Sequence, residues 1–233
     1  MGGGTPSTIQ TGSPCEKCDS RHKGFFCESD AATLREVDTA KSVRHYKAGD
    51  TIFGEGEECE GIYCIRTGAV KIESVGENGQ AHILHVVNSG GVLGLRASME
   101  SGTFEASAVA AQPTNICFIP KDTFNKLLKK DPTIALSALR TVSLELNDME
   151  KRFCHATDLS AVERIAEALL HLKDRFEDQQ WTRREFAEWA STTTETVIRT
   201  LAQFEKEGFI ELDGRKIIIK NRGKLLEKAK IFV

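Results

Sequence analysis

The spacing of apolar residues changes along this chain, and each change marks a different kind of element. Between residues 43 and 120, short β-branched and aromatic runs alternate with glycines at 49, 54, 56, 61, 68, 76, 79, 90, 91, 94 and 102. Short strands punctuated by glycine turns predict a small antiparallel barrel or jelly roll, with strands over Gly61–Arg66, Ala69–Val75, Ala81–Val87 and Asn115–Pro120. Beyond Pro132 the period lengthens. Ala135, Leu139, Val142, Leu146, Met149 and Phe153 are spaced 4, 3, 4, 3, 4, a heptad seam that predicts a coiled-coil dimer. The same seam could instead pack on the chain's own barrel. Ser160-Ala-Val-Glu163 then caps a helix carrying Ile165, Leu169 and Leu172.

Residues 182–208 predict two short helices across a tight turn. Thr182 and Glu185 have capping-box spacing, and Phe186, Ala187, Trp189 and Ala190 form an apolar face. The polar run Ser191-Thr192-Thr193-Thr194 interrupts the pattern. A second helix resumes with Val197, Leu201 and Phe204 inward and stops at Gly208. Its outer face begins with Thr194, Glu195, Ile198 and Arg199. A helix that reads a DNA major groove needs, near its start, a group that accepts from cytosine and one that donates twice to guanine. Glu195 and Arg199, one turn apart, supply both; the plainer alternative is a surface ion pair. Phe209–Leu212 and Arg215–Lys220 flank Asp213-Gly214, a hairpin signal, so the module is a winged helix. Arg215, Lys216, Lys220, Arg222 and Lys224 are available there to phosphates.

Charge agrees with that placement. Residues 181–233 hold 11 Lys/Arg against 8 Asp/Glu, and the remainder holds 20 against 26, so an acidic chain carries a basic C-terminal module. Its 233 residues and 40% hydrophobic content suit one or two ordinary domains. No apolar run approaches the ~20 residues of a membrane span. MGGGTPSTIQTGSP lacks the order of a signal peptide and is expected to be a disordered leader. Seven cysteines without a secretion signal point to reduced thiols and a cytoplasmic location. G-x-S-x-G, Walker and H-E-x-x-H motifs are all missing, which argues against an enzyme.

Barrel, dimer helix and winged helix in that order, with HYKAGDTIFGEGEECEGIYCIRTGAVKI, NICFIP, TRREFAEW and TETVIRTLAQFEKEGFI, resemble the Crp/Fnr transcription regulators from Cys15 to about Leu226. The implied fold class is α+β. A cysteine-containing leader covers 1–30 and a cyclic-nucleotide-binding-like β-roll or jelly-roll sensor barrel covers 31–130. A dimerisation helix covers 131–156, and the winged helix-turn-helix covers 157–233. The resemblance implies a homodimer that regulates transcription by binding an inverted repeat in double-stranded DNA, with RNA polymerase as a further partner. It assigns guanine to Arg199, cytosine to Glu195, a thymine methyl to Ile198, and mainly phosphates to Thr194, Thr196, Arg215 and Lys216. Ser191 and Thr192 depart from the Gly and apolar residue common in the family's turn. Ile198 stands where a small residue or serine is usual.

Cyclic-nucleotide-binding relatives carry a Gly-Glu pair for the ribose and an Arg-Ser pair for the phosphate. Here Gly94-Leu95-Arg96-Ala97 lacks the acid, and Glu105-Ala106 falls where the arginine belongs. A carboxylate repels a phosphodiester, so a cyclic nucleotide is not the expected effector. In the oxygen-sensing branch three leader cysteines and one barrel cysteine ligate a [4Fe–4S] cluster; the matching residues are Cys15, Cys18, Cys27 and Cys117. The eight residues between Cys18 and Cys27 exceed that branch's usual spacing. The same thiols would serve zinc or a redox switch, or Cys15–Cys27 is a structural leader with Cys117 a buried apolar residue. Cys64 reads as core. A protein-interaction module using the winged helix is the alternative from a different class.

Overall fold

The computed structural model describes residues 7–10, 14–100, 102–175 and 180–230. These divide into two units, the first comprising residues up to Ser74 with Leu84–Asn147, the second Val75–Ile83 with residues from Asp148 onward.

Two antiparallel sheets make up most of the first unit, with Val75 and residues 81–83 of their strands counted in the second. One has the order β1-β2-β9-β4-β7, from β1 (Ser7–Gln10), β2 (Ser42–Tyr46), β4 (Gly61–Thr67), β7 (Val92–Leu93) and β9 (Thr114–Pro120). The other has the order β3-β8-β5-β6, from β3 (Thr51–Phe53), β5 (Ala69–Val75), β6 (Ala81–Asn88) and β8 (Ser107–Ala110). Side chains alternate across β4 and β9, so each strand serves two cores. Tyr63, Ile65, Ile116 and Phe118 point into the barrel, where Phe53 and Phe104 stack with centroids 3.7 Å apart. Ile62 and Ile119 point the other way, against α1 (Ala31–Ala40), α3 (Lys121–Lys130) and α4 (Pro132–Asp158) through Val37, Phe124, Leu127, Ile134 and Ala138. Gly61 is where two backbones crowd: a Cβ there would sit 2.1 Å from the Ile119 carbonyl oxygen.

Part of the leader is ordered. Residues 7–10, expected to be disordered, pair antiparallel with β2. The expectation for residues 1–6 and 11–13 lies outside the described residues. The leader then makes two 3-10 turns, Cys15–Lys17 and Asp19–Lys23, and Asp38 of α1 accepts the Cys15 amide at 2.9 Å.

α4 buries Ile134 and Ala138 and leaves the predicted seam largely outward. Leu139, Leu146, Met149 and Phe153 are 64%, 58%, 40% and 72% exposed, and Ala135 is exposed too; Val142 alone of the seam leans on the barrel-side core. Within the first unit, Ala135, Leu139 and Leu146 therefore lie outside the buried core.

In the second unit, α5 (Ala161–Arg175), α6 (Arg183–Trp189), α7 (Thr194–Lys206) and α8 (Arg222–Lys228) enclose Ile165, Leu169, Leu172, Phe186, Val197, Leu201, Phe204 and Leu225. The hairpin of β10 (Ile210–Asp213) and β11 (Lys216–Ile219) buries Ile210 and Ile217 beside them. Asp213 pairs with Lys216, so the two-residue loop is Gly214-Arg215, one position later than expected, with Gly214 at φ 56°. A glycine reaches that left-handed region without steric cost. Among the described residues no helix is long and apolar enough to cross a membrane.

Candidate nucleic-acid interface and thiol cavity

The start of α7 is set by local chemistry. Thr193 is the N-cap, its Oγ1 accepting the Thr196 amide at 3.2 Å. α6 begins with the expected capping box, Thr182 Oγ1 accepting from the Glu185 amide and the Glu185 carboxylate from the Thr182 amide. With Val197, Leu201 and Phe204 buried, 3.6-residue periodicity turns Glu195, Ile198 and Arg199 outward together; Ile198 is 54% exposed. Among the described residues no ion pair joins Glu195 to Arg199. Arg215 and Lys216 are exposed at the hairpin tip, and Arg183 of α6 donates to the Arg215 carbonyl at 3.4 Å. Lys220 pairs with Glu211 across the hairpin, and Lys224 stands over the Phe209 ring, which leaves them less free for phosphates than the tip residues.

The turn between α6 and α7 is strained and held by residues that sequence patterns did not single out. Ser191 adopts φ 48°, the left-handed conformation that the glycine usual at this place takes freely. Arg164 of α5 donates to the carbonyls of Leu159 at 2.5 Å, Ala190 at 2.8 Å and Ser191 at 3.3 Å. Arg152 donates to the Trp189 carbonyl at 3.0 Å and to Ile83 at 2.9 Å, its guanidinium 4.0 Å from the Trp189 ring centre. Burial pulls Arg152 down to about 10, still charged at neutral pH. Gln80 donates to the Thr192 carbonyl at 3.1 Å. Arginines inside predicted helices look like solvated surface; only their three-dimensional partners reveal the role.

In the first unit, the cavity lined by Arg96, Glu105 and Phe104 also takes in Glu100 and Glu145. Arg96 lies 3.7 Å from the Glu105 carboxylate, and both are exposed. Arg96 thus has the Glu105 carboxylate as its neighbour, in a cavity that Glu100 and Glu145 also line.

A second cavity lies on the outer face of the five-stranded sheet. Cys15, Cys18 and Cys117 line it, as does Cys64; Cys27, grouped with the first three from sequence, is exposed and does not. Cys64 is therefore not part of the barrel interior. It stands directly opposite Cys117 in the β4–β9 register. Burial pushes the thiol of Cys15 up to about 11 and raises those of Cys117 and Cys64, the last most strongly; Lys41, donating to Cys15 Sγ at 3.1 Å, opposes the rise. Among the described residues no three His, Cys, Asp or Glu side chains surround a point where one metal ion would sit.

A β-sheet barrel followed by a long helix and a winged helix with Glu195, Ile198 and Arg199 on one outward face is the architecture of a DNA-binding transcriptional regulator. Comparison with known proteins gives the same answer. Residues 43–131 match the cyclic nucleotide-binding domain model, and residues 163–228 match the Crp-like helix-turn-helix domain model. The chain is 26% identical to the fumarate and nitrate reduction regulatory protein of Escherichia coli (strain K12), over 95% of this chain and 93% of that protein. The structure of FixK2 from Bradyrhizobium japonicum superposes with a TM-score of 0.72 at 25% identity, covering 80% of this chain and 96% of that one. A CRP/FNR-family transcriptional regulator from Thermus thermophilus gives 0.69 at 26% identity, covering 81% and 98%. The two domain models in this order and these relatives make the chain similar to the Crp/Fnr family of transcriptional regulators.

Proposed function

We propose that this regulator works as a cytoplasmic homodimer on an inverted DNA repeat and answers to a redox signal held by thiols under its leader. The observation that carries the DNA reading is the shared outward face of Glu195, Ile198 and Arg199 beside the exposed cations of the hairpin tip. In this reading Arg199 donates to a guanine and Glu195 accepts from a cytosine, while Ile198 packs on a thymine methyl. Thr194, Thr196, Arg215 and Lys216 position the backbone. The exposed stripe of Leu139, Leu146, Met149 and Phe153 supplies the two-fold contact, and bound dimers engage RNA polymerase as the family's regulators do. Selection from random duplex DNA should return an inverted repeat whose half-sites lie ~34 Å apart, one helical turn. Recovery of single, unpaired half-sites, or no enrichment at all, would contradict this reading.

The redox reading rests on thiols and on the relatives. Those relatives are named for fumarate and nitrate reduction, both of them redox reactions. Three of the expected cluster ligands, Cys15, Cys18 and Cys117, line one cavity. The fit can be tested on an atom already there: Arg21 Nε is buried without a hydrogen-bond partner, and Arg21 lines the same cavity. A buried N–H donor requires an acceptor, and cluster sulfides or thiolates are acceptors whose hydrogen bonds tune the potential. Thiols distributed around a cavity suit a [4Fe–4S] cluster, where each cysteine binds a different iron. A single zinc ion requires all four sulfurs ~2.3 Å from one point. When bound, the cluster would supply one-electron and oxygen-sensitive chemistry. Lys41 and Arg21 offset thiolate charge, and the apolar walls of Phe25, Phe26 and Val37 limit water. Anaerobically purified protein should be brown and contain iron.

A further inference from the structure

We infer that the fourth cysteine of this thiol site is Cys64, not Cys27. The inference rests on the cluster reading above and changes its ligand set. Cys64 and Cys117 are direct partners in the antiparallel β4–β9 register. Directly opposed residues of an antiparallel pair project from the same face of the sheet, with Cβ atoms ~4.5–5.5 Å apart. That face is the outer one, because Ile62 and Ile119, two residues along from Cys64 and Cys117, pack under the helices while Tyr63 and Phe118 fill the barrel. Whatever Cys117 can ligate, Cys64 can therefore reach.

The leader brings the other two thiols to the same place. Asp38 holds the Cys15 amide, Lys41 meets its sulfur, and both Cys15 and Cys18 line the cavity with Cys64 and Cys117. The leader is fixed a few residues later by a backbone contact. Phe25 donates to the Gly90 carbonyl at 3.2 Å and is buried, and a Cβ on Gly24 would come within 3.0 Å of the same carbonyl oxygen. The chain passes this anchor before it reaches Cys27, which is left exposed outside the cavity. The lengthened Cys18–Cys27 interval and the cysteine on β4 thus have one explanation: the strand supplies the thiol that the leader does not deliver. Four cysteines around one cavity, with the unpartnered Arg21 Nε beside them, make a complete donor set.

The test uses the full chain, reconstituted anaerobically with ferrous iron and sulfide, and compares Cys64→Ala, the volume-matched Cys64→Ser and Cys27→Ala. Iron, acid-labile sulfide and the visible absorption band are measured, with far-ultraviolet circular dichroism to report the fold. Cys64 variants should lose at least half of the bound iron and the band, whereas Cys27→Ala should keep both. Because Cys27 is exposed, that variant decides the matter alone if the Cys64 variants fail to fold. Iron loss from Cys27→Ala, or full retention in folded Cys64 variants, would overturn the assignment and leave the cluster reading standing. Wild-type protein that takes up no iron would overturn the cluster reading itself, and this assignment with it.

Discussion

Arg164 carries the sharpest energetic prediction, because one side chain holds three carbonyls around the recognition turn. Arg164→Met keeps an apolar stem and removes every donor. The Ser191 contact is long and exposed and contributes little, so the effect lies with Leu159 at 2.5 Å and Ala190 at 2.8 Å. Removing a charged donor from a part-buried carbonyl costs ~1–3 kcal/mol, which for two carbonyls amounts to about 2–6 kcal/mol. For a unit of this size each kcal/mol moves the melting temperature by ~4–8 °C, so the winged-helix transition should fall by at least ~8 °C. Scanning calorimetry of the full chain measures it. DNA affinity should drop as well, because the freed turn no longer sets the angle of α7. A shift below ~4 °C, under about 1 kcal/mol, would refute the clamp.

Three further outcomes follow from single observations. Ser191→Gly removes the left-handed strain at φ 48° and, after the unfolded-state entropy of glycine, should stabilise by ~0.5–1 kcal/mol, seen as a higher denaturant midpoint at unchanged slope. The Glu163 carboxyl is held down to about 2 by Lys230 and by the amide and hydroxyl of Ser160. Its contribution is therefore complete above the ordinary value of 4.5 and lost as pH falls toward 2; the stability gap to Glu163→Gln should close over that window, and a gap unchanged from pH 6 to 2 would count against the link. Leu146→Asp places a charge in the exposed seam, where facing its symmetry mate would cost several kcal/mol, on the order of ~3–5. Sedimentation should then show monomers, and a monomeric wild type would remove the dimer proposal.

Local patterns made most of the fold legible. The strand runs at 61–66, 69–75, 81–87 and 115–120 appear within a residue or so, because alternation and glycine turns are properties of neighbours in the chain. The Thr182–Glu185 box and the buried spacing of Val197, Leu201 and Phe204 placed α6 and α7 for the same reason. What stayed hidden depends on partners distant in sequence. Arg164 and Arg152 look like solvated helix positions until their carbonyl acceptors are seen. β1 is four residues without a hydrophobic signature, held by β2. The family resemblance selected Cys27, as the third cysteine of the leader, although its spacing departs from the family's. Only the β4–β9 register puts Cys64 beside Cys117.

The central claim is that α7 reads base edges while the hairpin tip grips phosphates, and one paired comparison tests it most directly. Selection from random DNA is run in parallel with wild type, Arg199→Ala and Lys216→Ala, with salt titrations of the selected sites. Arg199→Ala should lose ~1–3 kcal/mol per half-site and flatten preference at one G·C pair. Lys216→Ala should keep the base preference, weaken all sequences alike, and lower the salt slope by about one unit for each phosphate no longer gripped. An Arg199→Ala protein that retains the full wild-type base preference would contradict the assignment of the recognition face.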